Sequence, residues 1–335
     1  MPIRPTLQDV AREAGVSKAT ACKALNRYSD VRESTRQAVL DAVSKLHYIP
    51  DQTLSEIAVA RWRKLPTQTG TVVGWLQNNP LSEYRTYRES AIKRALELGM
   101  RVEVFIQDDY PSIPRLTQVL TSRGIRGLLV GPQFHPDLLD TFDWSQFAAV
   151  SCNRGRFELP IPAVIPDYFQ SIMLCVERMK ARGYRRLGAA LCQHDPVHID
   201  DHCRHAAWNY ASALYGFDNI PLWSGPFDAA DGFIQWVKEY KPDGILGIHS
   251  GMVWWLINAG YAVPGKIAFA TLHQDFNQDD GTAGCDNRMA HLGRKAVDQV
   301  ALMLRTREVG LSQPRFTVTV APAWVDGPTL PSIRY

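Results

Sequence analysis

Residues 6–26 have the sequence Thr-Leu-Gln-Asp-Val-Ala-Arg-Glu-Ala-Gly-Val-Ser-Lys-Ala-Thr-Ala-Cys-Lys-Ala-Leu-Asn, which predicts two short helices joined by a Gly-Val turn. Thr6 can cap the first helix together with Asp9 at its third position, and Ser17 can cap the second. Gly15 permits the turn between the two helices. The pattern is typical of a helix-turn-helix, a motif whose second helix enters the major groove of DNA.

The apolar and small residues of this stretch support two crossing helices. Those of the first helix recur at the spacing that places them on one face: Leu7, Val10, Ala11 and Ala14. Small side chains stand where the helices must approach closely: Ala14, Ala21 and Ala24. The polar, basic and small residues that remain point outward from the second helix: Ser17, Lys18, Ala19, Cys22, Lys23 and Asn26.

A third helix is predicted over about Glu33 to Leu46, and His-Tyr-Ile-Pro-Asp follows at residues 47–51. Together with residues 6–26, these segments resemble the DNA-binding headpiece of lac-repressor-type (LacI/GalR) transcription regulators. The last five residues match the Tyr-x-Pro-Asn signature with which that family enters its hinge helix. The resemblance implies a headpiece over residues 1–50, and a hinge helix and linker over residues 51–70.

The resemblance also implies which residues contact DNA. Lys18 and Lys23 match the positions that reach base edges, although the family more often has Arg at the second, and Ala19 matches a residue that packs against a thymine methyl or a backbone sugar. The complete set of expected contacts is Thr6, Leu7, Ser17, Lys18, Ala19, Thr20, Lys23, Asn26, Thr35, Leu54, Ile57 and Ala58.

Residues 51–60 are predicted to form a helix only when two copies pair on DNA, because a helix of about ten residues is too short to persist alone. The family inserts a Leu from this helix into the minor groove, and Ile57 matches that position. A polar segment that contains Pro66 and Gly70 follows and marks the domain boundary.

The charge of the chain is unevenly distributed. Residues 1–64 contain 11 Lys and Arg and 7 Asp and Glu, a net charge of +4. The totals of 37 and 34 leave 26 and 27 for the remaining 271 residues, a net charge of −1. The basic charge therefore lies in the segment that is expected to bind the phosphate backbone of DNA.

Residues 71–335 alternate short apolar runs with helical patterns, which predicts α/β lobes with doubly wound parallel sheets. Several phrases, such as Lys241-Pro-Asp-Gly-Ile-Leu246, resemble the family's periplasmic-binding-protein-like effector-binding and dimerisation domain. The resemblance implies an upper lobe of about 71–165 and 288–320 and a lower lobe of about 166–287 and 321–335. It also implies a homodimer that binds operator DNA and a small-molecule effector, with a sugar or sugar derivative suspected.

In this family the effector lies between the carboxyl ends of the strands of the two lobes. Arg204 and Trp208 match the family's Arg and aromatic residue there, whereas His249-Ser250 and His273 replace its usual Asn-Asp pair and Asp. Imidazoles at these positions predict a ligand response that depends on pH near 6.5. The expected ligand contacts are Asn79, Tyr84, Asn153, Arg154, Asp167, Arg204, Trp208, His249, Ser250, His273 and Asp286.

Residues 192–205 contain four His, two Cys and three Asp, and they leave a metal-sensing regulator as an alternative function. An enzyme is not expected, because there is no Walker loop and no Gly-x-Gly-x-x-Gly motif, and Ser250 lacks the glycines that flank a hydrolase nucleophile. No cofactor is predicted.

The six cysteines are scattered and are expected to be reduced thiols. The first residues lack an apolar signal core and no apolar run spans a membrane, so a cytoplasmic location is expected.

Overall fold

The structure, a computed structural model, describes residues 5–25, 31–46, 70–78, 85–131, 141–152, 154, 159–195, 197–217, 220–274, 281–311 and 314–333. These residues form a small helical unit at the amino-terminal end and two α/β units. Among the described residues, no helix combines the length and the apolar character that a membrane crossing requires.

The helical unit consists of α1 (Leu7–Glu13), α2 (Lys18–Leu25) and α3 (Glu33–Leu46). The predicted capping box is present, since Asp9 N donates to Thr6 Oγ1 at 3.4 Å and Thr6 N donates to Asp9 Oδ2 at 2.9 Å. Gly15 has a φ of +66°, the left-handed conformation that glycine adopts without strain. The three helices bury one apolar core: Val10, Ala11, Ala21, Ala24, Val39 and Ala42.

A six-stranded parallel sheet, called the upper sheet, has the strand order β10-β5-β4-β3-β1-β2. Its strands are β1 (Val72–Gln77), β2 (Arg101–Ile106), β3 (Gly127–Val130), β4 (Ala148–Cys152), β5 (Ala163–Pro166) and β10 (Thr317–Val320). The helices that belong to this unit are α4 (Arg85–Glu97), α5 (Ile113–Ser122) and α10 (Met289–Thr306), with short 3-10 turns at Gln107–Asp109 and Trp144–Gln146. β3 and β4 are buried along their whole length because helices cover both faces of the sheet.

A second sheet, called the lower sheet, has the strand order β11-β9-β8-β7-β6. Its strands are β6 (Leu187–Ala190), β7 (Gly244–Gly247), β8 (Ala268–Thr271), β9 (Gly284–Asp286) and β11 (Ala323–Val325). Four helices complete this unit: α6 (Tyr168–Ala181), α7 (Ile199–Tyr215), α8 (Ala230–Tyr240) and α9 (Met252–Asn258). The predicted fold class, a helical headpiece followed by two α/β lobes, is confirmed.

One strand departs from the predicted parallel arrangement, because β11 runs antiparallel to β9. Only residues 321–322 connect β10 of the upper sheet to β11 of the lower sheet. Two residues are too few to carry the chain across the lower sheet to the edge at which its parallel strands begin. The chain therefore enters the lower sheet at the carboxyl ends of those strands, and β11 runs antiparallel to β9.

Candidate functional site

The outer face of α2 is the candidate DNA-binding surface. Ser17, Lys18 and Lys23 are exposed, whereas Ala21 and Ala24 on the opposite face are buried in the helical core. Ser17 accepts a hydrogen bond from Thr20 N at 3.0 Å, and the two hydroxyl oxygens lie 2.8 Å apart. The cap thus fixes the first turn of the helix, from which Lys18 projects into solvent.

The other expected DNA contacts have different environments. The hydroxyl of Thr6 donates to Asp9 Oδ2 at 2.7 Å, Leu7 packs against the headpiece core, and Thr35 is half-buried in α3. Ala19 lies in α2. Four expected contacts fall outside the described residues: Asn26, Leu54, Ile57 and Ala58.

An ion pair shows where the two sheets approach each other. Arg154, two residues after β4 of the upper sheet, donates from Nη1 to Asp200 Oδ1 at 3.0 Å, and Asp200 lies in the first turn of α7 beside the lower sheet. The space around this contact, between the carboxyl edges of the two sheets, is called the cleft below. Three of the expected ligand contacts lie outside the described residues: Asn79, Tyr84 and Asn153.

Asp201 is the centre of a buried polar cluster at the start of α7. It accepts hydrogen bonds from Arg204 Nη2 at 2.5 Å, from His198 N at 2.9 Å and from both the backbone N and the ring Nδ1 of His194, at 3.0 and 2.9 Å. Burial by itself would raise the pKa of Asp201, but these hydrogen bonds and the charge of Arg204 hold that pKa well below its usual value. Asp201 is therefore ionised at neutral pH.

Arg204, the expected ligand-binding arginine, is enclosed by this cluster. Its guanidinium carbon lies 5.1 Å from the ring centre of Tyr168, the first residue of α6. Only 3% of the residue is exposed, and its Nε has no hydrogen-bond partner among the described residues. Arg204 thus donates to Asp201 through Nη2, while its Nε–H has no partner among the described residues.

His198 is a cleft residue that is not among the expected ligand contacts. It caps α7, since its Nδ1 accepts a hydrogen bond from Asp200 N at 3.1 Å. Its Nε2 is buried and has no partner in the part of the chain that the structure describes, and burial lowers its pKa. The signal in the sequence was the spacing His-x-x-Asp before a helix, a capping box with His in place of Ser or Thr.

His273 and His249 follow the ends of β8 and β7. His273 Nδ1 lies 3.0 Å from Asn287 Nδ2, which also donates to Leu272 O at 2.7 Å. Burial, together with the charges of Arg204, His249 and His194, lowers the pKa of His273 to about 3. Burial also lowers the pKa of His249. Both imidazoles are neutral at pH 7. The pH dependence of the ligand response, which the sequence predicts near pH 6.5, is therefore expected at a lower pH.

Aromatic side chains surround His249. Its ring centre lies 6.5 Å from that of Phe227, to which it is stacked, and 5.3 Å from that of Trp255, which it meets edge-on. The ring of His194 lies 4.7 Å from Phe227 on the other side. Ser250, beside His249, is buried. The lower side of the cleft therefore combines imidazole and aromatic surfaces.

Three other expected ligand contacts have local structural roles. Asp167 caps α6 and accepts from Gln170 N at 3.0 Å and from Gln170 Nε2 at 2.8 Å. Asp286 accepts from Arg288 N at 2.6 Å. Trp208 is 2% exposed and packs against Phe217 in the core of the lower unit. Their contact with a ligand stays a prediction.

The His- and Cys-rich segment does not assemble a metal site. Within the described ranges, no group of three or more His, Cys, Asp and Glu side chains is arranged to hold a metal ion. Asp200 and Asp201 instead pair with Arg154 and Arg204, and His202 is exposed. Cys192 is buried, and burial raises the pKa of its thiol to about 12. The structure gives the metal-sensing alternative no support.

Comparisons with known proteins identify relatives of the chain. The family model for bacterial regulatory proteins of the lacI family matches residues 6–51. The probable HTH-type transcriptional regulator EndR of Paenibacillus polymyxa is 27% identical over 188 residues, which cover 55% of this chain and 53% of that protein. The sucrose operon repressor of Escherichia coli is 27% identical over 187 residues, 54% of each chain. The match thus spans about half the length of these relatives.

Solved structures show the same fold over a larger part of the chain. The lac repressor dimer bound to operator and the anti-inducer ONPF has a TM-score of 0.56 and 20% identity, with 98% of this chain and 100% of that chain covered. The CelR–cellobiose complex has a TM-score of 0.59 and 17% identity, with 97% and 100% covered. The lacI family model therefore matches the headpiece segment of the chain, and the solved structures show that its body has the same fold as theirs.

Proposed function

We propose that the chain is a ligand-responsive, sequence-specific DNA-binding transcriptional regulator that represses carbohydrate-related genes. The observation that carries the proposal is the headpiece: the segment matched by the family model contains α1, α2 and α3, and α2 presents exposed lysines on its outer face. The relatives named above are a regulator and a repressor, and the proposal includes no enzymatic activity and no cofactor.

In the proposed complex, α2 lies in the major groove. Lys18 and Lys23 donate hydrogen bonds to guanine O6 or N7, and the helix caps keep α1 and α2 in register with the groove. The segment around Ile57, outside the described residues, enters the minor groove as a hinge helix. The net charge of +4 on residues 1–64 supplies attraction to phosphate that weakens with salt.

The proposed regulator is a homodimer that binds a pseudo-palindromic operator. The solved lac repressor relative is described as a dimer bound to operator. On this chain, Trp254 is 65% exposed and Ile257 is 42% exposed, and the two residues are three positions apart on α9. Two such apolar side chains on one helix face are suited to a contact between two copies.

The proposed effector binds in the cleft and changes the relative position of the two lobes. The Arg154–Asp200 pair joins segments of the two units and is therefore placed to respond to cleft closure. Sugars are the first candidates, since the relatives include a sucrose operon repressor and structures with cellobiose and with ribose.

Selection from a pool of random DNA duplexes tests the proposed function. The full chain is incubated with the pool, and the bound duplexes are amplified and sequenced. We expect enrichment of a pseudo-palindromic sequence that the double variant Lys18→Ala, Lys23→Ala no longer selects. The control variant Lys238→Ala removes an exposed lysine from α8 and should select the same sequence as the unaltered chain. Absence of any enriched sequence would contradict the proposal.

A further inference from the structure

Basic side chains gather at the amino ends of the strands of the lower sheet. β6, β7 and β8 are parallel, so the loops that precede them lie side by side at one edge of the sheet. The carboxyl ends, which face the cleft, lie about 13 Å away, because each strand has four residues. The last turn of α6 and these loops carry seven cations, called the basic edge below: Arg178, Lys180, Arg182, Arg185, Arg186, Lys241 and Lys266.

Three carboxylates accompany these cations in the described part of the chain, and each is held by the protein itself. Glu177 accepts from the hydroxyl of Tyr215 at 3.2 Å. Asp243 accepts from two backbone N–H groups of the loop before β6, each at 3.0 Å. Asp326, which follows β11, pairs with Arg182. These carboxylates are therefore too few to balance the basic edge.

The basic edge is a positive region on a body that is otherwise acidic. Its seven cations and three carboxylates give a net charge of +4, and Lys238 and Glu239 at the neighbouring end of α8 cancel each other. Outside its first 64 residues the chain has 26 Lys and Arg and 27 Asp and Glu, so 19 and 24 remain beyond the basic edge, a net charge of −5. A partner with many negative charges is attracted to this edge and repelled by the rest of the body.

Local contacts hold some of these cations without removing their charge. Arg186 donates to Tyr240 O at 2.7 Å, which satisfies a carbonyl at the end of α8, and Lys180 Nζ lies 4.0 Å from the ring centre of Tyr215. The cations in the last turn of α6 also offset the dipole of that helix. A carbonyl group or an aromatic ring carries no net charge, so the field of these side chains still reaches the solvent.

Lys241, at the centre of the basic edge, has a backbone conformation that a lysine adopts at a cost. Its φ is +48°, in the left-handed region, at the end of α8. Glycine adopts this conformation without strain and is the usual residue at such a helix end. The turn therefore does not explain the lysine. Its side chain does, because β7 lies between β6 and β8 and an exposed cation here joins those of the two neighbouring loops.

The composition of the basic edge favours nucleic acid over an acidic protein segment. Protein interfaces are anchored by aromatic and apolar side chains and contain few lysines. Within the described ranges, none of the exposed large apolar side chains lies in the loops before β6, β7 and β8. Because neighbouring strands are about 4.8 Å apart, the cations before these three strands form a row about 10 Å long, close enough together to meet successive phosphates of one DNA backbone.

We propose that the basic edge binds the phosphate backbone of a second DNA segment, without reading its sequence, while the headpiece holds the operator. The proposal goes beyond the proposed function and rests on it, because it assumes that the headpiece binds an operator. The chain then bridges two duplexes through two surfaces of different kinds.

Capture of a second duplex tests the proposal. The operator found by selection is attached to a surface and saturated with the full chain, and a labelled duplex without the operator sequence is then added. We expect capture at about 50 mM salt and loss of capture at about 200 mM, because each phosphate contact releases a counterion. Absence of capture by the unaltered chain at the lower salt concentration would overturn the proposal.

Neutralising the basic edge should abolish capture. The triple variant Arg185→Gln, Lys241→Asn, Lys266→Gln removes three charges, and Asn tolerates the left-handed conformation at its position. We expect at least about tenfold weaker capture, and on the non-operator duplex alone the plot of log affinity against log salt should be less steep by about 2 to 3. An unchanged slope and unchanged capture would contradict the proposal.

A matched control removes the same charge elsewhere. The variant Lys93→Gln, Arg115→Gln, Lys295→Gln alters three exposed cations on helices of the upper unit, and its capture should stay within about twofold of the unaltered chain. An equal loss in both triple variants would show that total charge matters and the basic edge does not.

A conservative variant separates charge from folding. Arg185→Lys with Lys266→Arg keeps every charge of the basic edge, and its capture should be retained, since attraction to phosphate requires charge and no particular side-chain geometry. Loss of capture in this variant would contradict the proposed contact.

Polyglutamate serves as the acidic polypeptide probe. Unlabelled non-operator duplex should displace the captured duplex at a lower concentration of charge than polyglutamate does. The reverse order would assign the basic edge to an acidic protein and overturn the proposal. Failure of the unaltered chain to select any operator would contradict the proposed function, whereas selection of an operator without capture would contradict only this inference.

Discussion

The headpiece and the body of this chain use charge in opposite ways. The segment 1–64 has a net charge of +4 and presents Lys18 and Lys23 to solvent, whereas the remaining residues sum to −1 and bury Arg204 against Asp201. An exposed lysine keeps its full hydration and can attract many phosphates along a groove. A buried, paired arginine is fixed in one geometry and serves one small site. Positive charge is therefore exposed to solvent in the headpiece, whereas in the body the charge of Arg204 is fixed by its pair with Asp201.

Breaking the buried pair should have the largest effect on stability. Asp201→Ala leaves Arg204 buried without its carboxylate, and we expect the free energy of unfolding to fall by about 3–5 kcal/mol. Urea denaturation measures the change. Asp228→Ala removes an exposed carboxylate from the same unit and should change stability by less than about 0.5 kcal/mol. Equal losses of stability in the two variants would show that the Asp201–Arg204 pair stabilises the fold no more than an exposed carboxylate does.

Removing an exposed lysine should affect binding rather than stability. Lys23→Ala should weaken binding to the selected operator by about 1–3 kcal/mol and relax the preference at one base position. Binding titrations with the operator and with single-base variants measure both effects. A loss of affinity that is equal for every sequence, with a salt dependence reduced by about one counterion, would assign Lys23 to phosphate instead.

The buried imidazoles should make the body less stable in mild acid. The pKa of His273 is about 3 in the folded chain and about 6.5 when unfolded, so the unfolded state takes up the proton first as the pH falls. From pH 6.5 to 5 this residue should remove up to about 1.4 kcal/mol of stability per pH unit. Urea denaturation of His273→Asn should show a shallower pH dependence than that of the unaltered chain, and equal slopes for the two proteins would contradict this role of His273.

The smallest effect is expected for an exposed ion pair. Glu97 on α4 accepts from both terminal nitrogens of Arg294 on α10, at 2.8 and 2.9 Å, and from Arg94 Nη1 at 2.9 Å, and these bonds lower its pKa to about 2. Solvent screens the pair, so Glu97→Gln should shift the urea midpoint far less than Asp201→Ala does. A loss of stability in Glu97→Gln as large as that in Asp201→Ala would show that exposed and buried ion pairs stabilise this chain equally.

The headpiece could be predicted from the sequence because its signals are local. The cap of Thr6 and Asp9, the left-handed Gly15 and the apolar face of α1 all act within a few residues of the chain. The bounds of the third helix were predicted from one periodic stretch, and the structure has α3 over Glu33–Leu46. Local signals of this kind do not depend on the rest of the fold.

The short strands of the body were not predicted. β5, β9 and β11 contain three or four residues each, and β5 ends at Pro166 while β9 begins at Gly284. Stretches this short show no alternation, and proline and glycine weaken any strand signal they have. These segments become strands because they pair with neighbouring strands, and that pairing depends on the whole sheet.

The cleft was predicted in part. Resemblance located Arg204, His249 and His273 at the ends of secondary-structure elements near one another, but it did not identify Asp201 or His198 as their neighbours. The choice of charge partner depends on distances between side chains that only the folded chain defines. The burial of Trp208 in the core of the lower unit likewise depends on the folded chain, and its contact with a ligand stays a prediction.

The position of β1 has a mechanical consequence. β1 lies between β3 and β2 inside the upper sheet, with Asn78 after its carboxyl end and the segment that leads back to the headpiece before its amino end. Its six residues span about 20 Å, and a strand hydrogen-bonded on both sides resists stretching and bending. A displacement of Asn78 is therefore transmitted along β1 to Val72 with little change in the length of the strand, and the neighbouring strands β2 and β3 move with it.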